Sequence, residues 1–97
     1  MDDAASRLFV IDLTYVVDLD RIDAQIPGHV RYLDQGYEDG VFLMSGRKNP
    51  RTGGIILAQD VSRDAIIART QQDPFIEMGL ASMRVTEFHP SKSRVSF

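Results

Sequence analysis

The chain has 97 residues, 43% of them apolar and 26% charged, which suits a single soluble globular domain with one hydrophobic core. Its net charge of −3 offers no basic surplus to hold nucleic acid, and no run approaches the roughly 20 apolar residues of a membrane span. The absence of cysteine removes disulfides, thiol nucleophiles and thiolate metal sites. The opening "MDDAASRLF" is acidic and lacks a basic segment followed by an apolar run, so a cytoplasmic protein is expected. The expected organisation is one domain over 1–97, with an ordered core over about 8–88 between polar ends.

The first element is a strand, "LFVIDLTYVV", in which Phe9, Ile11, Leu13 and Tyr15 share one face at period 2. From Ile26 the spacing becomes helical, with Ile26, Val30, Leu33 and Tyr37 forming one stripe; Pro27 suits the first turn and Gly40 follows the end. "VFLMSG" is a second strand, "NPRTGG" a connection, and "GIILAQ" a third strand, the two strands making a hairpin. Ser62 caps a second helix, "RDAIIARTQQ", where Ile66 and Thr70 share a face and Ala65 and Ala68 allow close packing. In "DPFIEMG", Asp73 and Pro74 start a short helix that ends near Gly79. "ASMRVTEF" is the fourth strand, with Met83 and Val85 on one face, and "HPSKSRVSF" is a polar tail.

The order βαββαβ predicts an α+β, ferredoxin-like sandwich with an antiparallel sheet and both helices on one side. Leu8 and Val10 lie opposite Phe9 and Ile11, while Ile55 and Leu57 lie opposite Ile56 and Ala58, so these strands are apolar on both faces. Helices cover one face only, and the other calls for a second copy packed sheet to sheet. A homodimer is therefore expected.

Few residues invite chemistry. His29 sits roughly 70° around the helix from the centre of the apolar stripe, at 100° per residue, which places it at the edge of the core. An imidazole there is either a boundary residue or a group that exchanges a proton near neutral pH. Asp73 is an ordinary helix start, and the same carboxylate is also able to orient an imidazole. "NPRTGG" lacks the spacing and the lysine–hydroxyl ending of a phosphate loop. His89 is far from His29 in sequence, and with no cysteine a dedicated metal site is not expected. Tyr15, Tyr32 and Tyr37 read as packing or rim residues, and Met44, Met78 and Met83 as core.

A histidine in the first helix, a strand leading into "MSGRKNPRTGGIIL", and "QQDPFIEMGL" before the last strand together resemble the YciI-like family of the dimeric α/β-barrel superfamily. The likeness runs from about Leu8 to Phe88, and its most specific part is Asp-Pro-Phe followed by Gly-Leu. It implies a homodimeric barrel of two ferredoxin-like protomers, with a pocket beside the sheet where His29 and Asp73 meet as a His–Asp dyad. Members of the superfamily include isomerases, lyases and oxygenases acting on small organic molecules, so fold alone does not select a reaction. Where members of the family commonly carry a proline after the second-strand glycine, this chain has Arg47. With Ser45 it places a cation and a hydroxyl near the mouth of the expected cleft, which suits an anionic ligand.

The favoured expectation is a small cofactor-independent enzyme performing elimination, isomerisation or hydrolysis on a small organic molecule. His29 is the expected general acid/base, Asp73 its orienting partner, and Ser45 and Arg47 the ligand contacts, with no metal. The competing expectation is a non-catalytic homodimer that binds a metabolite or regulates a partner. Hydrogen-bond reach between His29 and Asp73 beside a cavity favours the enzyme.

Overall fold

The computed structural model describes residues 7–95. The start of the acidic N-terminus and the last two residues, to which the expectation of polar ends applies in part, lie outside the described residues. The elements are β1 (Arg7–Tyr15), α1 (Leu19–Asp23), α2 (Ile26–Glu38), β2 (Phe42–Arg47), β3 (Gly53–Asp60), α3 (Arg63–Thr70), α4 (Pro74–Glu77) and β4 (Ala81–Phe88). The four strands form one antiparallel sheet in the order β2-β3-β1-β4. This is the ferredoxin-like α+β arrangement, built from β1-α2-β2 and β3-α3-β4 units joined by the β2–β3 hairpin. None of the described helices is long and apolar enough to cross a membrane.

Period-2 alternation decides which strand residues meet the helices. Phe9, Ile11 and Leu13 of β1, Ile56 and Ala58 of β3 and Val85 of β4 are buried in the main core with Tyr32, Phe42 and Ile66. Completely burying one such large side chain is worth roughly 1.5–3 kcal/mol. A second, smaller cluster gathers Ile22, Phe75, Leu80 and Ala81, with Tyr15, Val17, Ile26 and Ile76 packed against it.

The opposite face of the sheet is also apolar. Val10 is directly across from Leu57, Leu57 from Met44, and Leu8 from Phe88. Met44, Ile55 and Phe88 are exposed, while Leu8 on the same face is itself buried.

Four expectations need correction. The segment α1 was not foreseen, since five residues are too few to establish a helical period. The buried face of α2 is not the Ile26–Val30–Leu33–Tyr37 stripe: Tyr32 and Gly36 are buried, whereas Val30 and Tyr37 are exposed. The cause is Gly36, against which the Phe42 ring packs so closely that a Cβ would overlap it. A glycine carries no hydrophobic signal, so the face it marks is invisible to periodicity. His29, placed by the stripe at the edge of the core, consequently lies on the buried side, its side chain only 15% exposed. Met44 and Met78 are exposed rather than core: Met44 lies on the uncovered sheet face and Met78 at the end of α4.

Candidate active site

The site forms where the first turns of α2, the β2–β3 hairpin and α4 converge. Asp73 is the N-cap of α4, with its backbone extended and its Oδ1 accepting the Phe75 N–H at 3.0 Å. The same oxygen accepts the His29 Nδ1–H at 2.9 Å. Asp73 is 1% exposed, so both bonds are shielded from water. A carboxylate only accepts, so Nδ1 carries the proton and, in the neutral ring, Nε2 carries the lone pair. Nε2 has no protein partner among the described residues.

The imidazole lies flat on the Phe75 ring, with centroids 4.2 Å apart and planes 9° apart. Tyr15 meets Phe75 edge-on at 5.8 Å, joining the stack to the end of β1. The Tyr32 ring is tilted by 32° to the histidine, with centroids 6.0 Å apart. Its hydroxyl is buried without a partner. Burial, reinforced by the charge of Asp73 and opposed by Arg69, pushes that phenol far above its usual range. Tyr32 therefore stays neutral and packs, as the sequence suggested.

A cavity of about 520 Å³ opens beside the pair, within the size range of small-molecule sites. His29, Phe75, Leu13, Leu33 and Ile56 line its inner part, and Ser45, Arg47, Gly54 and Ile55 line the hairpin side. The two hairpin polar groups are there because of a β-bulge. A register shift between Phe42 and Met44 lets Phe42 face Ala58 and Ser45 face Ile56, so Phe42, Ser45 and Arg47 all fall on the helix-covered side. Strict alternation from Phe42 would have sent Met44 inward and Ser45 out. The Ser45 hydroxyl is 2.7 Å from that of Tyr37, so it is already engaged. Arg47 has no ion-pair partner among the described residues.

Sequence reading missed Arg51 and gave Tyr15 only a packing or rim role; both line the cavity. Arg51 sits in "NPRTGG", where turn residues dominate the pattern, and its guanidinium is paired with Asp23 of the unforeseen α1. The Asp23 hydrogen bond is the main cause raising the Arg51 pKa; desolvation opposes it, and Tyr15 adds a smaller upward contribution. No local signal in the sequence could have linked Arg51 to Asp23. His89 lies at the opposite end of the sheet, exposed and 3.5 Å from Glu87, so the two histidines do not converge.

Among solved structures, the chain resembles 5-chloro-2-hydroxyhydroquinone dehydrochlorinase (TftG) from Burkholderia phenoliruptrix, whose structure is a complex with 2,5-dihydroxybenzoquinone. The TM-score is 0.74 at 19% identity, over 84% of this chain and 93% of that one, a likeness of fold. No curated protein matches the sequence significantly. The model of the YCII-related domain matches residues 8–89, from the first strand to just past the last, and the chain belongs to that family.

Proposed function

We propose that the protein is a cytoplasmic, cofactor-independent enzyme that moves a proton on a small organic molecule, with His29 as general acid/base and Asp73 as its orienting partner. The observation that carries this reading is the His29–Asp73 hydrogen bond beside the cavity, which commits Nδ1 to a buried carboxylate and leaves Nε2 for a ligand. Ser45 and Arg47 are ligand contacts at the hairpin side. Elimination, isomerisation and hydrolysis all need such a base. Elimination gains support from the dehydrochlorinase that shares the fold: Nε2 would take a proton from carbon or oxygen while the leaving group departs with its bonding electrons.

The reading includes a homodimer packed through the uncovered sheet face, supported by the row of Met44, Leu57 and Val10 on that face. Such an interface should bury more than roughly 1,000 Å². Sedimentation of wild type and Val10→Asp tests it, with a stable wild-type monomer at micromolar concentration overturning it.

The test of function is a panel of small halogenated, hydroxylated and enolisable substrates on wild type, His29→Ala and Asp73→Asn. Loss of a general base typically costs about 10²–10⁴-fold in rate, and His29→Ala should fall in that range. Equal rates in wild type and His29→Ala would overturn the assignment. Saturable binding with no turnover across the panel would mark a metabolite-binding protein instead.

A further inference from the structure

The net charge of the chain is −3, yet the cavity lining reverses that sign: Arg47 and Arg51 contribute to it, and no aspartate or glutamate does. Its inner wall is apolar, formed by Leu13, Leu33, Ile56 and Phe75. A site with a cationic side and an apolar floor matches a ligand with an anionic head and an apolar body.

Arg51 is held in place from several directions. Its guanidinium is paired with Asp23 of α1. The backbone that follows it is tied down, with the Tyr15 N–H donating to the Thr52 carbonyl at 2.8 Å and the Lys48 N–H to the Gly53 carbonyl at 2.9 Å. Gly53 then passes so close to the Leu13 carbonyl that a Cβ would overlap it. Lys48 clamps the base of the hairpin onto β1 through Asp12 at 2.6 Å and Thr14 at 3.2 Å. An arginine fixed in this way loses little freedom when an anion arrives, and its planar fork keeps donors beyond those used by Asp23.

We infer that Arg51, assisted by Arg47, selects small cyclic organic acids, binding the carboxylate or phenolate of a ligand whose apolar ring lies toward Phe75 and His29. The inference rests on the cavity being the ligand site proposed above and names the class of ligand that it takes. Arg51 is a specificity-determining residue, and Asp23 is a positioning residue that acts through it.

The test is a binding measurement with no turnover in any arm, so failure of the catalytic reading and failure of this one are distinguishable. Benzoate and its neutral isostere benzamide are titrated into isotope-labelled protein, following the Gly46, Gly54 and Ile55 amides. Benzoate should bind wild type at least about tenfold more tightly than benzamide, as expected of a charge-assisted pair, and should weaken with added salt. Arg51→Gln should abolish the preference, and Arg31→Gln, which removes the same charge outside the cavity, should retain it. Asp23→Asn should change benzoate affinity by a smaller factor than Arg51→Gln, because it alters both the charge and the placement of the guanidinium, and decides the matter if Arg51→Gln does not fold. Equal binding of the two probes to wild type, no response of the lining amides to benzoate, an unchanged preference in folded Arg51→Gln, or an unchanged benzoate affinity in Asp23→Asn would each overturn the inference.

Discussion

The two apolar clusters of this small domain differ in what they support. The main core, from Phe9 through Ile56 to Val85, fills the space between sheet and helices. The smaller cluster of Ile22, Phe75, Leu80 and Ala81 offers one of its members to the site, since Phe75 is the buried surface on which His29 rests. The first is packing for stability. The second is packing for orientation, and a change there should be felt by the imidazole before it is felt by the fold.

Substitutions can break or sharpen this contrast. Phe9→Ala in the main core should cost about 3–5 kcal/mol, measured by denaturant unfolding, and leave a domain near the edge of stability. Gly36→Ala inserts a methyl into the space held by Phe42, and overpacking of this kind should cost about 1–3 kcal/mol. Phe75→Leu, closer to conserving volume, should cost less than about 1.5 kcal/mol while visibly shifting the His29 ring resonances. A larger stability loss with an unmoved histidine would erase the distinction between the clusters.

Asp73 belongs to both functions at once, so its two substitutions should separate them. Asp73→Ala should lose about 1 kcal/mol from the cap alone, whereas Asp73→Asn should keep most of it because asparagine also caps well. In wild type, nitrogen NMR should find the neutral His29 proton on Nδ1, and Asp73→Ala should release that preference. The same tautomer balance in both proteins would show that the aspartate acts only as a cap.

The smallest effect lies at the far end of α2. Asp39, hydrogen-bonded first by Gln35 and then by Arg69, titrates below the ordinary 3.8 of its kind. Its folded pKa is lower than its unfolded one, so the stability it adds is present above the unfolded value and disappears as pH falls through the folded one. Asp39→Asn should slightly lower stability at neutral pH and leave it unchanged in acid, so that the acid limb of the unfolding curve flattens.

The strands and their order along the chain were legible because short β-branched and aromatic runs such as Leu8–Tyr15 are bounded by turn residues such as Asn49, Pro50, Gly53 and Gly54. The caps at Ser62 and Asp73 were legible too, and both side chains accept the expected backbone N–H. The orientation of α2 was not, because glycine and histidine mark its buried face and neither reads as apolar. Ser45 and Arg47 could be named as candidates, but their placement on the cavity side depends on a one-residue bulge with no local signature. Arg51 was hidden more deeply, since its role needs a hairpin, a five-residue helix and Asp23 brought together by the tertiary fold.

A single oxygen of Asp73 accepts both the Phe75 amide and the His29 ring. Thermodynamic linkage follows, because whatever strengthens one of these bonds alters the electron density available to the other. A molecule that draws on Nε2 in the cavity changes how strongly Nδ1 donates, and that change reaches the first turn of α4 through the shared acceptor. Hydrogen exchange at the Phe75 amide, a backbone position inside the small cluster, thereby becomes a reporter of events at the far side of the imidazole.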